Sequence, residues 1–360
     1  MNFFNIDRQY AAIQKILESH QKELFLKFDF IQGSQVKLLE STLSDYTNSE
    51  CVTVGNGTDA LYIALLSLNL QPDDEVIVPT FTWVSTAEVV KQVGAKLVFC
   101  DVDINTFNVD LEDLKSRITK NTKAIISVSL FGQVSNLDGI KKIIKDKEII
   151  LIEDAAQSFG AKSNKKVSCS IADISTTSFF PTKPLGCFGD GGAIFTNNDS
   201  LIEAIKVIPK HGQTNRYNYI RWGVNSRLDT YQACVLLSKL EVFESELSLR
   251  QKNASIYFEE LESNNLIKLP YIEPNNFSVF AIFTLKLNDP EMQESFKKHM
   301  ADHGIPTGYY YPCLHKSQPY LNGKNYLNAE FLEKSVVSIP FDAYFHEKEL
   351  LDICKVINKF

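Results

Sequence analysis

Cysteine pairs, histidine clusters, basic blocks and long apolar runs are all missing from this 360-residue chain. Its seven cysteines (Cys51, Cys100, Cys169, Cys187, Cys234, Cys313 and Cys354) fall at irregular spacing with no C-x-x-C pair. An odd number so placed suits reduced thiols and argues against a disulfide framework or a cysteine-rich zinc site. The six histidines form no H-E-x-x-H or H-x-H group, so no catalytic metal is expected. The formal net charge is −7 and no Lys/Arg stripe is present, which argues against nucleic acid as a partner. No apolar run approaches the roughly 20 residues that span a bilayer, so no membrane partner is expected. The opening MNFFNIDRQY has no basic region followed by an apolar one. A secretory signal is therefore not expected, and the cytoplasm is the expected location.

What is present suits a globular protein with ample core: 44% hydrophobic and 22% charged residues. The length exceeds the usual ceiling for one compact domain, so a large and a smaller domain are expected. Strand candidates begin at Cys51 (CVTV), Glu75 (EVIVP), Lys96 (KLVFCD), Lys123 (KAIISVSL), Glu148 (EIILIED), Asp173 (DISTTSFF) and Gly192 (GAIFTN). Several are apolar on both faces, which predicts a mostly parallel sheet covered by helices on both sides. Between the first two, Leu61, Ala64, Leu65 and Leu68 recur at helical spacing as one buried stripe. The pattern changes near residue 245, giving an α/β domain over 1–245 and a smaller α+β domain over 246–360. In the second, ESELSLRQKNASIYFEELESNN reads as a long connecting helix, and Val279, Ala281, Phe283, Leu285 and Leu287 alternate as one face of a strand. PEMQESFKKHMADHG starts with Pro290 and ends at Gly304 as a helix should.

Three stretches carry chemistry. In VGNGTDAL (Val54 to Leu61) a strand ends in glycines and Thr58 and Asp59 open a helix. Such a start offers unpaired N–H groups and the positive end of a dipole to an anion, or is a plain turn with Thr58 as its cap. In IEDAAQS (Ile152 to Ser158), Glu153 and Asp154 end an apolar strand where open α/β sheets bind ligands. A buried carboxylate there needs a positive or hydrogen-bonding partner, unless it merely caps a helix. In TTSFFPTKPLGCFGDGG (Thr176 to Gly192), Lys183 is boxed in by Pro181 and Pro184 and followed by four glycines. A lysine is commonly a solvated turn residue, yet one held among apolar side chains has an amine that can attack a carbonyl.

A phosphate cup, a carboxylate for a pyridinium nitrogen and a Schiff-base lysine together describe a pyridoxal phosphate site. Their order and wording resemble the DegT-type sugar aminotransferases of the fold-type I, aspartate aminotransferase-like class. The likeness runs from FNIDRQYAAI through PTFTWVSTAEVV, IEDAAQSFGA, HGQTNRY and GVNSRLDTYQA to YYYPCLHKSQPY, almost the whole chain. By that resemblance Lys183 would bind the cofactor covalently, Asp154 would pair with its ring nitrogen and Gln157 would reach its phenolic oxygen. Gly57, Thr58 and Ser178 would hold the phosphate, and Trp83 would stack on the ring or else be a core aromatic. Asn225 would reach the phosphate of the neighbouring subunit, making a homodimer with shared sites. Arg227 would lie near the substrate, or form a structural ion pair, and Tyr310 and Tyr311 would line the substrate side.

The resemblance also implies the reaction: transfer of an amino group from L-glutamate to a keto group of a nucleotide-linked sugar, for amino sugars of surface glycans. FFPTKPLGCFGDGG is similar to members that act at C-3, those making 3-amino-glucuronates on UDP foremost and the dTDP-3-keto-6-deoxyhexose enzymes next. Uronate-type members read HYP where this chain has Tyr310, Tyr311 and Pro312, and SIPFDAYFHEKEL departs from the family's usual SLPMHPxL. The alternatives are a C-4 keto sugar, a small keto or cyclitol substrate, a dehydratase, or a regulatory protein without catalysis. Dehydratases of this family replace the lysine by histidine, and a non-catalytic member would be expected to lose Lys183 or Asp154. Both are present here.

Overall fold

The computed structural model describes all 360 residues. Two helices, α1 (Ile6–Lys27) and α2 (Ser34–Thr47), precede the sheet. There follow β1 (Glu50–Val54), α3 (Gly57–Ser67), β2 (Glu75–Pro79), α4 (Ser85–Gln92), β3 (Lys96–Cys100), β4 (Thr122–Val128), β5 (Ile150–Asp154), β6 (Ile174–Ser178) and β7 (Gly192–Thr196). These seven strands form one sheet in the order β1-β7-β6-β5-β4-β2-β3. All pairings are parallel except those of β7 with β1 and β6. All seven strand candidates from Cys51 to Gly192 are in it.

Both faces of the sheet are buried, because its strands are apolar at successive positions. Ile125 and Leu151 face one core cluster, while Ala124, Ile126 and Ile152 face another. Helix α3 sits against β6 and β7 on one side and α4 on another. It buries Ala60, Leu61, Ile63, Ala64 and Leu65, more than the single stripe expected, and Leu68 falls just past its end. A helix covered on several sides needs apolar residues around most of its circumference.

After α5 (Thr230–Leu240), the long helix α6 (Phe243–Leu261) leads to a three-stranded antiparallel sheet of β8 (Ile267–Lys268), β9 (Phe283–Leu287) and β10 (Val336–Ile339). Helix α7 (Gln293–Asp302) follows a 3-10 turn at Pro290–Met292, and Gly304, just past its end, has φ +70°. Helix α8 (Glu347–Ile357) packs on α6. A third core cluster draws on residues from Ala254 to Ile357. The alternating run from Val279 is not one strand. Val279 and Ala281 join the first cluster, whereas Phe283, Leu285 and Leu287 join the third. Val279 N donates to Gly132 O (2.9 Å) and Phe280 takes φ +44°, which breaks the extended chain between the two cores.

No helix is long and apolar enough to cross a membrane.

Candidate active site

Strand register builds the site. Val54 pairs with Gly192, and Gly192 with Ser178, so the end of β1 lies two strands from the end of β6. The start of α3 therefore meets Ser178. A Cβ on Gly57 would lie 2.7 Å from Ser178 Cβ, a contact that only glycine permits. Asn56, and not Thr58, caps the helix, its Oδ1 accepting from Asp59 N at 2.8 Å. Thr58 Oγ1 is thus free for a 2.7 Å hydrogen bond shared with Ser85 Oγ. The first N–H groups of α3 have no carbonyl one turn back, and the dipole there favours an anion. Behind the cup, Ser226 Oγ accepts from Gly55 N (2.9 Å) and donates to Asp59 Oδ2 (2.6 Å).

The two carboxylates that end β5 point to opposite sides, as alternate strand residues must. Glu153 is buried away from the cavity and accepts from Ser129 Oγ, Ser168 Oγ, Cys169 N and Ser175 Oγ. Asp154 lines the cavity. Its Oδ1 accepts from Ala156 N (3.1 Å), and Thr86 Oγ1 lies 3.5 Å from Oδ2. Burial raises its pKa above the ordinary carboxylate range, opposed by the Ala156 N–H, the charge of Lys183 and the Thr86 hydroxyl.

Lys183 occupies a tight turn. Its N donates to Phe180 O (2.9 Å), and Cys187 N returns to Phe179 O (2.7 Å). A Cβ on Gly186 would stand 2.5 Å from Phe180 O, so the turn closes over a residue without a side chain. The proline- and glycine-bounded stretch thus fixes the lysine backbone on the cavity wall. Burial pushes the amine below the ordinary lysine range, with Asp154 pulling the other way. A larger share of neutral amine results, which is the nucleophilic form.

The cavity encloses about 410 Å³. Gly57, Thr58, Trp83, Asp154, Gln157, Ser178, Lys183, Tyr310 and Tyr311 all line it. Trp83 is 59% exposed and so is no core aromatic. Gln157 Oε1 accepts from Phe131 N (2.8 Å) while its Nε2 donates to Tyr311 Oη (2.9 Å). Lys183 is the one lysine or arginine on the wall. Asn225 and Arg227 stand off the cavity: Asn225 is exposed, and Arg227 is half-buried and makes no ion pair. Sequence reasoning missed Phe4, Ser85 and Thr86, which reach the site from other elements, and Ser226, which braces the cup. No group of three or more His, Cys, Asp or Glu side chains is disposed to hold a metal ion.

This arrangement can hold a phosphorylated aromatic cofactor. A helix N-terminus with the Thr58 and Ser178 hydroxyls takes the anion, a buried carboxylate faces the middle of the cavity, and an aromatic face lies open at Trp83.

Comparison with known proteins agrees in the same direction. Residues 12–358 match the DegT/DnrJ/EryC1/StrS aminotransferase family. The chain is 43% identical over 361 residues to a Pseudomonas aeruginosa protein named UDP-2-acetamido-2-deoxy-3-oxo-D-glucuronate aminotransferase, covering 99% of both. A DegT DnrJ EryC1 StrS aminotransferase from Brucella abortus superposes with a TM-score of 0.94 at 34% identity, over 100% of this chain and 99% of that one. NtdA from Bacillus subtilis, solved with bound cofactor PMP, superposes with a TM-score of 0.91 at 26% identity, over 100% of this chain and 85% of that one.

Proposed function

The chain belongs to the DegT/DnrJ/EryC1/StrS aminotransferase family, and on that premise we propose that it moves an amino group from L-glutamate to the C-3 keto group of a nucleotide-linked sugar, with pyridoxal phosphate as cofactor. One observation carries the reading: a single cavity gathers Lys183, Asp154 and the N-terminus of α3. Bound there, the cofactor supplies an aldehyde for the lysine amine and a ring that takes up the electron pair released when a C–H bond breaks.

The residues do the rest. Gly57 and Thr58 N–H groups, with the Thr58 and Ser178 hydroxyls, hold the phosphate. Asp154 would hold a proton on the ring nitrogen, and the face of Trp83 would pack on the ring. Gln157 Nε2 keeps one hydrogen beyond that given to Tyr311, enough to reach the ring's phenolic oxygen. Lys183 Nζ would bind the cofactor at rest; once displaced, it would take the proton from the donor's α-carbon in the first half-reaction and, in the second, give one to the carbon that was the acceptor's keto carbon. Tyr310, Tyr311 and Arg227 serve the substrate side. C-3 is favoured by the name of the Pseudomonas relative and by the FFPTKPLGCFGDGG stretch around Lys183. The product would be an amino sugar for surface glycans, made in the cytoplasm.

The holoprotein should be yellow, and L-glutamate should bleach that colour. A screen of UDP- and dTDP-linked 3-keto sugars, with and without a C-6 carboxylate, should then restore it. A colourless protein, or colour that no sugar restores, would overturn the reading.

The working unit is a homodimer with shared sites. Asn225 is exposed and off its own chain's cavity, which suits a side chain that completes the partner's phosphate cup. Losing that bond should weaken cofactor binding by about 1–3 kcal/mol. Mixing Lys183→Ala with Asn225→Ala subunits should create one intact site per heterodimer, with up to about a quarter of wild-type activity by random pairing. If Asn225→Ala is impaired alone and mixing restores nothing despite proven exchange, Asn225 serves its own subunit.

A further inference from the structure

The N-terminal residues form a strap across the cavity. Phe4 lines the main cavity and, with Thr182 and Lys183, a second one of about 20 Å³ between the strap and the lysine turn. The strap is fastened by the C-terminal stretch SIPFDAYFHEKEL, the one whose wording departs from the family's. Asn5 N donates to Asp342 Oδ2, and Asn5 Nδ2 lies 3.4 Å from Oδ1. Asp342 Oδ1 also accepts from Tyr344 N (2.7 Å). In the first turn of α1, Arg8 pairs with both oxygens of Glu349 at 2.6 and 2.7 Å and donates to Tyr344 O (2.9 Å). The Arg8 guanidinium pulls the Glu349 carboxyl down to a pKa of about 2, so this ion pair stays charged at neutral pH.

The clasp leaves Phe4 little freedom. Phe3 stands edge-on to Phe4 (centroids 4.9 Å) and to Tyr310 (6.4 Å), wedging the Phe4 ring in place. Phe4 is half-buried, so part of its ring stays open. It shares the wall of both cavities with Thr182 and Lys183, the wall on which the acceptor sugar must meet the lysine amine. An aromatic surface offered to a ring rich in C–H groups is a packing surface that fixes orientation.

We infer that Phe4 is a specificity-determining residue that packs on the acceptor sugar, and that Asp342 positions it by holding the strap. This rests on the aminotransferase reading above and adds to it the residue that orients the sugar. In a ping-pong reaction the donor and acceptor halves are measured separately, which isolates the sugar side. The probes are L-glutamate for the donor half. For the acceptor half they are UDP-2-acetamido-2-deoxy-3-oxo-D-glucuronate and a dTDP-3-keto-6-deoxyhexose, using whichever the wild type converts faster. Phe4→Ala should raise KM for the sugar about tenfold, equivalent to about 1.4 kcal/mol, with bleaching by glutamate slowed less than about twofold. Phe4→Tyr should restore KM, and Asp342→Asn should shift it in the same direction as Phe4→Ala but less. An unchanged sugar KM, or equal slowing of both halves, would overturn the role of Phe4 alone. A wild-type protein that glutamate does not bleach would instead overturn the underlying reading.

Discussion

Lys183→Ala should lose turnover by about 10³-fold or more, as expected when a covalent catalyst is removed, while the protein stays folded. Its structural contribution is small, because the hydrogen bond that holds the turn runs from Lys183 N, which alanine keeps. The amine itself makes no hydrogen bond and sits on the cavity wall with its pKa lowered by burial. Removing it takes away nucleophile and proton carrier together. The measurements are steady-state turnover, visible absorbance and the thermal midpoint. The expected result is turnover down by about 10³-fold or more and loss of the absorbance band of the lysine-bound cofactor, at an unchanged midpoint. A variant retaining a tenth of wild-type turnover would remove Lys183 from the chemistry.

Asp154→Asn should slow the donor half-reaction by about 10²–10³-fold, the usual cost of deleting one preorganised electrostatic partner. The substitution preserves shape, and an amide oxygen can still accept from Ala156 N. What disappears is the charge. The ring nitrogen then loses its proton more easily, and the released electron pair has a poorer place to go. Lys183 also loses the carboxylate that opposes its burial, so its pKa should fall further. Stopped-flow absorbance with L-glutamate checks this: bound cofactor with slow bleaching is expected. Bleaching at the wild-type rate would mean that Asp154 is not the ring's partner.

The strands and the three chemical stretches were legible because each is local. Apolar runs such as EVIVP and EIILIED show their burial directly, and a strand followed by glycines and a helix start marks a phosphate cup wherever it folds. What was not legible depends on long-range contacts. Phe4 reaches the cavity because Asn5 is tied to a residue 337 positions away, and nothing in MNFFNIDRQY announces that. The choice between Glu153 and Asp154 follows from strand alternation only once the sheet's cavity side is known. The helix cap shows a different limit: Asn56 and Thr58 are both good caps, and Ser85 from another helix occupies the hydroxyl that Thr58 would have used. The Val279 to Leu287 alternation failed because two cores share it, with Phe280 turning the chain between them.

The central claim is that one lysine, Lys183, holds the cofactor in the cavity that Asp154 and α3 share. It is tested most directly by reducing the yellow holoprotein with borohydride, digesting it, and locating the modified residue by mass spectrometry. The expected result is a single modified peptide spanning the Phe180 to Gly192 stretch, with the added mass on Lys183. Modification of another lysine, or of none in a coloured protein, would contradict the account.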